Sequence, residues 1–255
     1  MTYYRFLVYV SCFFLLLGCY QAKEGCLDNR ALNYDVSADR NCCCRYPELI
    51  VRTNWVWKGS PLELDSVYSL GNTRIRLLSA ELLVSNFTLK NEGGITIVSD
   101  STRDLLTLEG KVSIRDDFGQ ISLANSEVKI PFFIVRSDMD SLAFTVGLPR
   151  LGLSPVEDNT HPLSVEKSHW DAERGFAIFD MKWLAGDDLG DTISCVFYSQ
   201  TEKGIQIRTS QNIEGELGRN TSVDLTLDMG IWLEGISPSQ PDSAILLHRL
   251  PKAFH

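Results

Sequence analysis

The cysteines are the residues of this chain whose type and spacing offer the clearest chemistry. Cys26 and three consecutive cysteines, Cys42, Cys43 and Cys44, crowd a short N-terminal stretch, whereas Cys195 lies alone in an apolar run. Close cysteines form disulfides in an oxidising compartment, and a bridge that closes roughly 16 residues contributes about 3 kcal/mol. Zinc needs two spaced cysteine pairs, which the triplet does not provide. We therefore expect one or two disulfides in this stretch, one of which joins Cys26 to one of the three consecutive cysteines, with Cys195 a buried thiol.

A second cysteine chemistry is indicated at the start of the chain. Leu16-Leu17-Gly18-Cys19 closes an apolar run that begins at Phe6 and follows Arg5. A run too short to span a bilayer, ending in a small residue before cysteine, is typical of a lipoprotein signal peptide. Cleavage would remove residues 1–18 and leave Cys19 as a lipid-modified N-terminus. We expect an extracytoplasmic protein anchored to the bacterial outer membrane, on its periplasmic or surface face; an ordinary cleaved signal is the alternative.

Composition argues against several classes of function. The chain has 255 residues and a net charge of -9 without a block of Lys or Arg, so it lacks the electrostatic footprint of a nucleic-acid-binding protein. Its four histidines limit the choice of a general base. The motifs of serine hydrolases, zinc proteases, phosphate-binding loops and dinucleotide-binding folds are missing. The sequence therefore favours a binding protein over an enzyme.

The elements that must position these residues are β-strands. β-Branched and aromatic residues alternate with polar ones in short runs separated by Gly, Pro, Asp and Asn, a pattern typical of a sandwich or a barrel. The predicted strands are 49–57, 74–89, 94–99, 127–135, 141–146, 176–183, 192–198, 204–209 and 222–232.

For two further segments the sequence is compatible with more than one structure. Residues 103–108 are compatible with a short helix or a turn, and residues 243–254 with a C-terminal helix or a strand-like tail interrupted at Pro251. We divide the chain into a signal peptide (1–18), a lipid anchor with a cysteine-rich spacer (19–47) and one β-domain (48–255).

The spacer carries a resemblance of its own. Residues 25–39, which begin Gly-Cys-Leu-Asp and continue through Ala-Leu-Asn-Tyr-Asp, resemble the short cysteine motif of secreted Bacteroidota proteins, although both prolines of that motif are missing. The resemblance implies a small stapled module without catalysis. Asp28, Asn33, Asp35 and Asp39 offer oxygen ligands for calcium, with solvated turns as the alternative.

The β-domain contains an ordered series of short motifs: Gly59-Ser60-Pro61-Leu62-Glu63-Leu64 with Tyr68, Leu83-Val84-Ser85-Asn86-Phe87-Thr88-Leu89, Phe144-Thr145-Val146-Gly147-Leu148-Pro149, His161-Pro162-Leu163-Ser164, and Trp170 with Gly175-Phe176. In this order the motifs resemble those of the MbnP-like family of periplasmic or surface β-proteins, which are related to a copper-binding protein. The resemblance covers about residues 48–255 and implies an antiparallel β-sandwich.

This chain departs from the family at the copper ligands that the resemblance implies. Trp55 occupies the position of a histidine on the first strand, and Ser199-Gln200 occupy that of a second histidine. An indole has no lone pair for a metal, and hydroxyl or amide oxygens are too hard for Cu(I). We therefore expect no intact family copper site.

Four residues near the family's tryptophan motif could carry a diverged site. His161, His169 and Met181 could hold copper if they converge, since imidazole and thioether are suitable donors. Trp170 matches a tryptophan that the resemblance implies a partner di-haem peroxidase can oxidise, although Ala172 replaces the second tryptophan of the motif. The alternative is that both histidines lie in a solvated loop.

Together these observations predict a lipid-anchored binding protein of the MbnP-like type. Its possible roles are metal handling by a diverged copper site, in association with a di-haem peroxidase, or a non-metal structural or interaction role that retains only the fold.

Overall fold

The computed structural model of the chain describes residues 21–107, 109–148, 152–198 and 204–255. The expected signal peptide and Cys19 lie outside these residues. The strands are β1 (Glu24–Gly25), β2 (Arg40–Asn41), β3 (Leu49–Trp57), β4 (Ser60–Pro61), β5 (Tyr68–Leu70), β6 (Thr73–Lys90), β7 (Thr96–Val98), β8 (Thr102–Thr107), β9 (Gly110–Arg115), β10 (Gly119–Ser122), β11 (Glu127–Ile130), β12 (Met139–Val146), β13 (Ala177–Ala185), β14 (Asp191–Tyr198), β15 (Ile205–Ile213) and β16 (Thr221–Asp228). The helices are α1 (Val165–Ser168), α2 (Met229–Trp232) and α3 (Ser243–Ala253).

The larger of the two main sheets is built around the long strand β6. The N-terminal half of β6 pairs antiparallel with β13, and its C-terminal half pairs antiparallel with β12. β14 and β15 extend the sheet beyond β13 and β12 respectively. The short strands β5, β7 and β10 also pair with β6. Because so many strands depend on it, β6 fixes the register of most of the sheet.

The second sheet has the order β11-β3-β16, with β4 paired to the end of β3. β3 is antiparallel to β11 but parallel to β16. Apolar residues of both sheets share one buried core, and α2 and α3 contribute Trp232 and Leu246 to it. The indole of Trp232 donates to the carbonyl of Leu246 at 3.0 Å, which satisfies its buried N–H. The fold is thus the predicted all-β sandwich with open sheets.

A smaller core covers the opposite face of β6. Successive side chains of a strand point to opposite faces, so Leu83 faces away from the main core that contains Leu82 and Val84. Leu83 packs beneath the β8–β9 hairpin, the short connection from β9 to β10 and the loop of residues 152–176. The hairpin adds the buried side chain of Leu105, the connection adds Phe118, and the loop adds Leu153, Leu163 and Phe176. This packing places the loop that carries His161, His169 and Trp170 over the outer face of β6.

The N-terminal segment, residues 21–47, is held by a cross-link rather than by a large core. Cys26 and Cys44 form a disulfide with a Cα–Cα distance of 4.9 Å, so the predicted staple is present. The segment contacts the sandwich where Tyr46 packs on Phe132, with ring centroids 4.4 Å apart.

Several predicted elements differ from the structure. Residues 103–108, expected as a helix or turn, contain most of β8, which pairs with β9. The strand predicted over 127–135 ends at Ile130, because Pro131 cannot donate to the ladder. The strand predicted over 222–232 ends at Asp228, whose side chain accepts from the backbone N–H groups of Gly230 and Ile231 and so begins α2.

The C-terminal segment is a helix that continues through Pro251. α3 begins after its N-cap residue Asp242 and buries Leu246, Leu250 and Ala253 against the sandwich. This apolar stripe explains why the helical alternative holds rather than the strand-like tail. Among the described residues, none of the helices has the length and apolar character needed to cross a membrane.

Candidate functional site

His161 lies in the smaller core, and both of its ring nitrogens are hydrogen-bonded. Nε2 is 2.8 Å from Oδ1 of Asp116, and the backbone N–H of Leu163 donates to Nδ1 at 3.1 Å. Because Nδ1 accepts, the proton is on Nε2, and neither nitrogen retains a free lone pair for a metal. The side chain is 7% exposed. Its geometry is that of a residue that anchors the loop to the sheet.

Asp116 is the charged partner that makes this anchor possible. It also accepts a hydrogen bond from Nε of Arg103 at 2.8 Å. Desolvation by burial raises the pKa of Asp116, but the hydrogen bonds from His161 and Arg103 outweigh that effect and hold the pKa below its ordinary value. Asp116 is therefore a carboxylate at neutral pH, and it ties β8 to the loop.

His169 is placed differently, at the surface of the larger sheet. It ends α1 with a left-handed backbone, φ 47°. Its Nδ1 is 2.8 Å from Oδ2 of Asp180 on β13, and its Nε2 is 3.7 Å from Oε2 of Glu81 on β6. The two carboxylates are neighbours because Asp180 and Glu81 are paired in register. The imidazole thus bridges two adjacent strands.

The cavity beside His169 is small. It measures about 10 Å³ and is lined by Glu81, Gln120, Asp180 and the end of α1. The side-chain amide of Gln120, which lines the cavity, donates to Glu81 and to the carbonyl of Lys167, both at 2.8 Å. A space of this size accepts a water-sized group and excludes an organic substrate.

Met181 is separated from both histidines by the alternation of β13. Its side chain is fully buried in the main core, where the register places it opposite Cys195. Its neighbour Asp180 contacts His169 instead, on the other face of the strand. The structure therefore does not bring the thioether together with the imidazoles. Across the described ranges, no group of three or more His, Cys, Asp or Glu side chains is arranged to hold a metal ion.

Trp170, the candidate for oxidation, is partly buried against the smaller core. It is followed by a tight turn in which Asp171 and Gly175 exchange backbone hydrogen bonds at 2.8 and 2.7 Å. Asp171 also forms an ion pair with Arg174, whose guanidinium lies 4.1 Å from the ring centroid of Tyr198. The turn holds Trp170 at the surface with part of its ring accessible.

Trp55 lies on β3 at the position that the resemblance assigns to a copper ligand. It lines a groove of about 430 Å³ together with Thr53, Pro61, Leu62 and neighbouring residues. Its Nε1 is buried and has no hydrogen-bond partner among the described residues. An indole N–H donates but cannot coordinate a metal. Ser199 and Gln200, at the second position, lie outside the described residues.

In the N-terminal segment, two of the three carboxylates considered for calcium are engaged in ion pairs, and the third, Asp39, accepts a hydrogen bond from the backbone N–H of Lys23 at 2.8 Å. Asp28 binds Arg30 at 2.7 Å, and Asp35 binds Lys23 at 2.7 Å. The hydrogen bonds from Arg30 hold the pKa of Asp28 well below its usual range, and those from Lys23 and Ser37 lower the pKa of Asp35 to about 2. These contacts favour structured turns over a cation site.

The remaining cysteines differ in accessibility. Cys42 and Cys43 are free thiols in the N-terminal segment, and Cys43 is exposed. Cys195 is a free, buried thiol, and desolvation together with the nearby Asp180 raises its pKa to about 11. Cys195 is therefore protonated and unreactive at neutral pH.

Sequence reasoning did not identify the acidic partners Asp116, Glu81 and Asp180. Asp116 and His161 are 45 residues apart, and no local pattern links them. The alternation within β13, however, contains a usable signal: Phe179, Met181 and Trp183 share the core face, so Asp180 must point away from them.

Comparison with known proteins identifies one family. The model of the family described as MbnP matches residues 47–246. Among solved structures, the chain is similar to MbnP from Methylosinus trichosporium, with 15% sequence identity, coverage of 76% of this chain and 79% of that chain, and a TM-score of 0.48. No curated protein matches the chain.

Proposed function

This chain belongs to the MbnP family, and from that premise we propose that it is an extracytoplasmic binding protein, anchored by lipid at Cys19, that has no tight copper site. Two features support the location. Leu16-Leu17-Gly18-Cys19 has the form of a lipoprotein signal. The Cys26–Cys44 disulfide is suited to an oxidising compartment.

The observation that carries the proposal is the separation of the three candidate copper ligands. His161 has both ring nitrogens hydrogen-bonded, His169 bridges two carboxylates, and Met181 is buried in the main core. Copper would have to displace the Asp116 contact and draw the thioether through the sheet. The residues present therefore do not fit a copper ion. The geometry favours a binding role that depends on the fold and not on a bound metal.

Titration with Cu(I) against a competing chelator tests the absence of a tight site. The full chain is used with Cys42→Ser and Cys43→Ser, so that free surface thiols do not contribute. We expect an affinity for Cu(I) no higher than that of an exposed histidine pair. The affinity should be the same in His161→Ala, in His169→Ala and in the control His248→Ala, which changes an exposed helix residue. A stoichiometric site that disappears in either of the first two variants contradicts the proposal.

The lipid anchor is tested separately with Cys19→Ala. Without the thiol that is acylated, the protein should remain uncleaved or become soluble instead of partitioning into detergent. Cys12→Ala, which changes a cysteine inside the signal, is the matched control. Unchanged detergent partitioning of Cys19→Ala excludes anchoring at this residue.

A second candidate function rests on Trp170, whose partly accessible ring lies at the surface. Under this alternative, a partner di-haem peroxidase supplied with hydrogen peroxide oxidises the indole. Peptide mass spectrometry should then find added oxygen on Trp170 and none on the buried control Trp183. Equal oxidation of both tryptophans, or of neither, counts against a specific partner.

A further inference from the structure

Two free thiols face each other beside the disulfide of the N-terminal segment. Cys42 and Cys43 follow β2, and their sulfur atoms lie 2.6 Å apart. Ordinary non-bonded contacts between heavy atoms are roughly 3.5–4.0 Å, whereas a disulfide bond is about 2.05 Å. The two sulfur atoms are thus already closer than non-bonded neighbours.

The backbone holds both thiols in place. The N–H of Cys42 donates to the carbonyl of Gly25 at 2.9 Å, and the carbonyl of Cys43 accepts from the side-chain amide of Asn33 at 2.8 Å. The next residue, Cys44, is fixed by its bond to Cys26. Contacts before, within and after the pair therefore fix its orientation.

We propose that Cys42 and Cys43 form a reversible vicinal disulfide, a redox modification site separate from the Cys26–Cys44 bridge. The oxidant is an external low-molecular-weight disulfide. The thiolate of the exposed Cys43 attacks one sulfur of that compound and releases its first thiolate. Cys42, having lost its proton to water, then attacks Cys43 and expels the second thiolate. Two protein thiols are oxidised to one disulfide, and the external disulfide is reduced to two thiols.

The bond should be easier to reduce than the staple because its residues are adjacent. Consecutive Cα atoms across a trans peptide are about 3.8 Å apart, below the roughly 4.4–6.8 Å that disulfides normally span. The Cys26–Cys44 pair, at 4.9 Å, lies inside that range. Cys195 is buried in the sandwich and offers no competing partner. Strain therefore makes the vicinal bond the labile one of the two.

Peptide mapping of the full chain tests the proposal. The chain is treated with oxidised glutathione, alkylated without reduction, unfolded and digested with trypsin. Cleavage after Lys23, Arg30, Arg40 and Arg45 releases residues 24–30 and 41–45, joined by the staple. We expect this pair to be two hydrogens lighter than the dithiol form and free of alkyl groups. When the oxidised chain is treated with increasing dithiothreitol and then alkylated, the joined pair should gain two alkyl groups. The dithiothreitol concentration that permits this should be at least about tenfold below the concentration that separates the two peptides.

Two variants complete the design. Cys43→Ser leaves one thiol, which cannot form the vicinal bond and should carry either an alkyl group or a glutathione adduct. Cys42→Ser with Cys43→Ser should give the joined pair without either group. The proposal is overturned by alkylation of both thiols in the oxidised chain, by a persistent glutathione adduct on Cys43, or by fragment spectra that join Cys26 to Cys42 or Cys43. Reduction of both bonds at the same dithiothreitol concentration also overturns it.

Discussion

The N-terminal segment (residues 21–47) and the β-sandwich that follows it (residues 48–255) are stabilised by different means. The segment leaves Leu27, Tyr34 and Val36 exposed, the last at 80%. One disulfide and surface ion pairs such as Lys23–Asp35 constrain it. The sandwich instead buries large side chains from both sheets in a continuous core.

This difference decides where chemistry remains available. In the sandwich, His161 and Cys195 are buried, and the hydrogen bonds or desolvation around them leave no free lone pair or thiolate. In the segment, Cys43 is exposed next to Cys42. The N-terminal segment therefore retains the reactive thiols, although the sandwich carries the family resemblance.

The largest expected effect on stability, and the one that best distinguishes the sandwich from the N-terminal segment, should come from a substitution in the main core. Phe144 is 1% exposed, stacks on Phe87 and makes an edge-to-face contact with Phe254. Phe144→Ala should lower the free energy of unfolding of the sandwich by about 3–5 kcal/mol, because it removes buried area and leaves a cavity. Chemical denaturation measures this loss. Leu106→Ala, at a side chain that is 62% exposed, should change the same quantity by less than about 0.5 kcal/mol.

Removal of the staple should produce a smaller and local effect. Cys26→Ser combined with Cys44→Ser removes a cross-link worth about 3 kcal/mol to the segment it closes. We expect rapid hydrogen exchange and proteolysis within residues 21–47, with the melting temperature of the sandwich nearly unchanged. A fall in that temperature as large as the one caused by Phe144→Ala would show that the two regions form one cooperative unit.

The Asp116 contact should give an intermediate effect that depends on pH. Asp116→Asn removes the charge that binds His161 and Arg103 and should cost about 1–3 kcal/mol at neutral pH. Because the folded-state pKa of Asp116 is lowered, its contribution is present above the unfolded-state pKa of about 3.9 and is lost as pH falls through the lower folded-state value. Denaturation of both proteins across this acid range should show the gap closing. A gap that is constant with pH contradicts the role of the charge.

The smallest effect concerns an exposed ion pair in the segment. Lys23→Met removes the partner that lowers the pKa of Asp35 to about 2, so that pKa should rise towards its ordinary value. Carboxyl NMR titration measures this change. Since the pair is exposed, the melting temperature should not change, and Lys129→Met, in an ion pair of the sandwich, should leave Asp35 unaffected.

Much of the fold follows from local sequence patterns. The predicted strand 49–57 coincides with β3, and the strand 192–198 begins one residue after the start of β14. These strands have strong alternation or many β-branched residues. β8 was missed because Arg103, Asp104 and Leu106 obscure the alternation, and only pairing with β9 makes the strand evident.

The candidate site was far less predictable. The sequence suggested that His161, His169 and Met181 could converge, but long-range pairing of β6, β8 and β13 assigns each to a different environment. Asp116 and Glu81 are remote in the chain from the histidines that they contact, so no local spacing could reveal them. For Asp180, the alternation within β13 indicates only that the side chain points away from the main core. The disulfide was easier to predict because Cys26 and Cys44 are only 18 residues apart.

The parallel pairing of β3 with β16 has a consequence for the order of events during biosynthesis. Thr221 pairs with Leu49 and Asp228 with Val56, so β3 finds this neighbour only after nearly the whole chain has been made. Contacts between such distant segments are slow to form, and synthesis proceeds from the N-terminus. The nascent polypeptide therefore lacks one side of its second sheet until residue 228 is available.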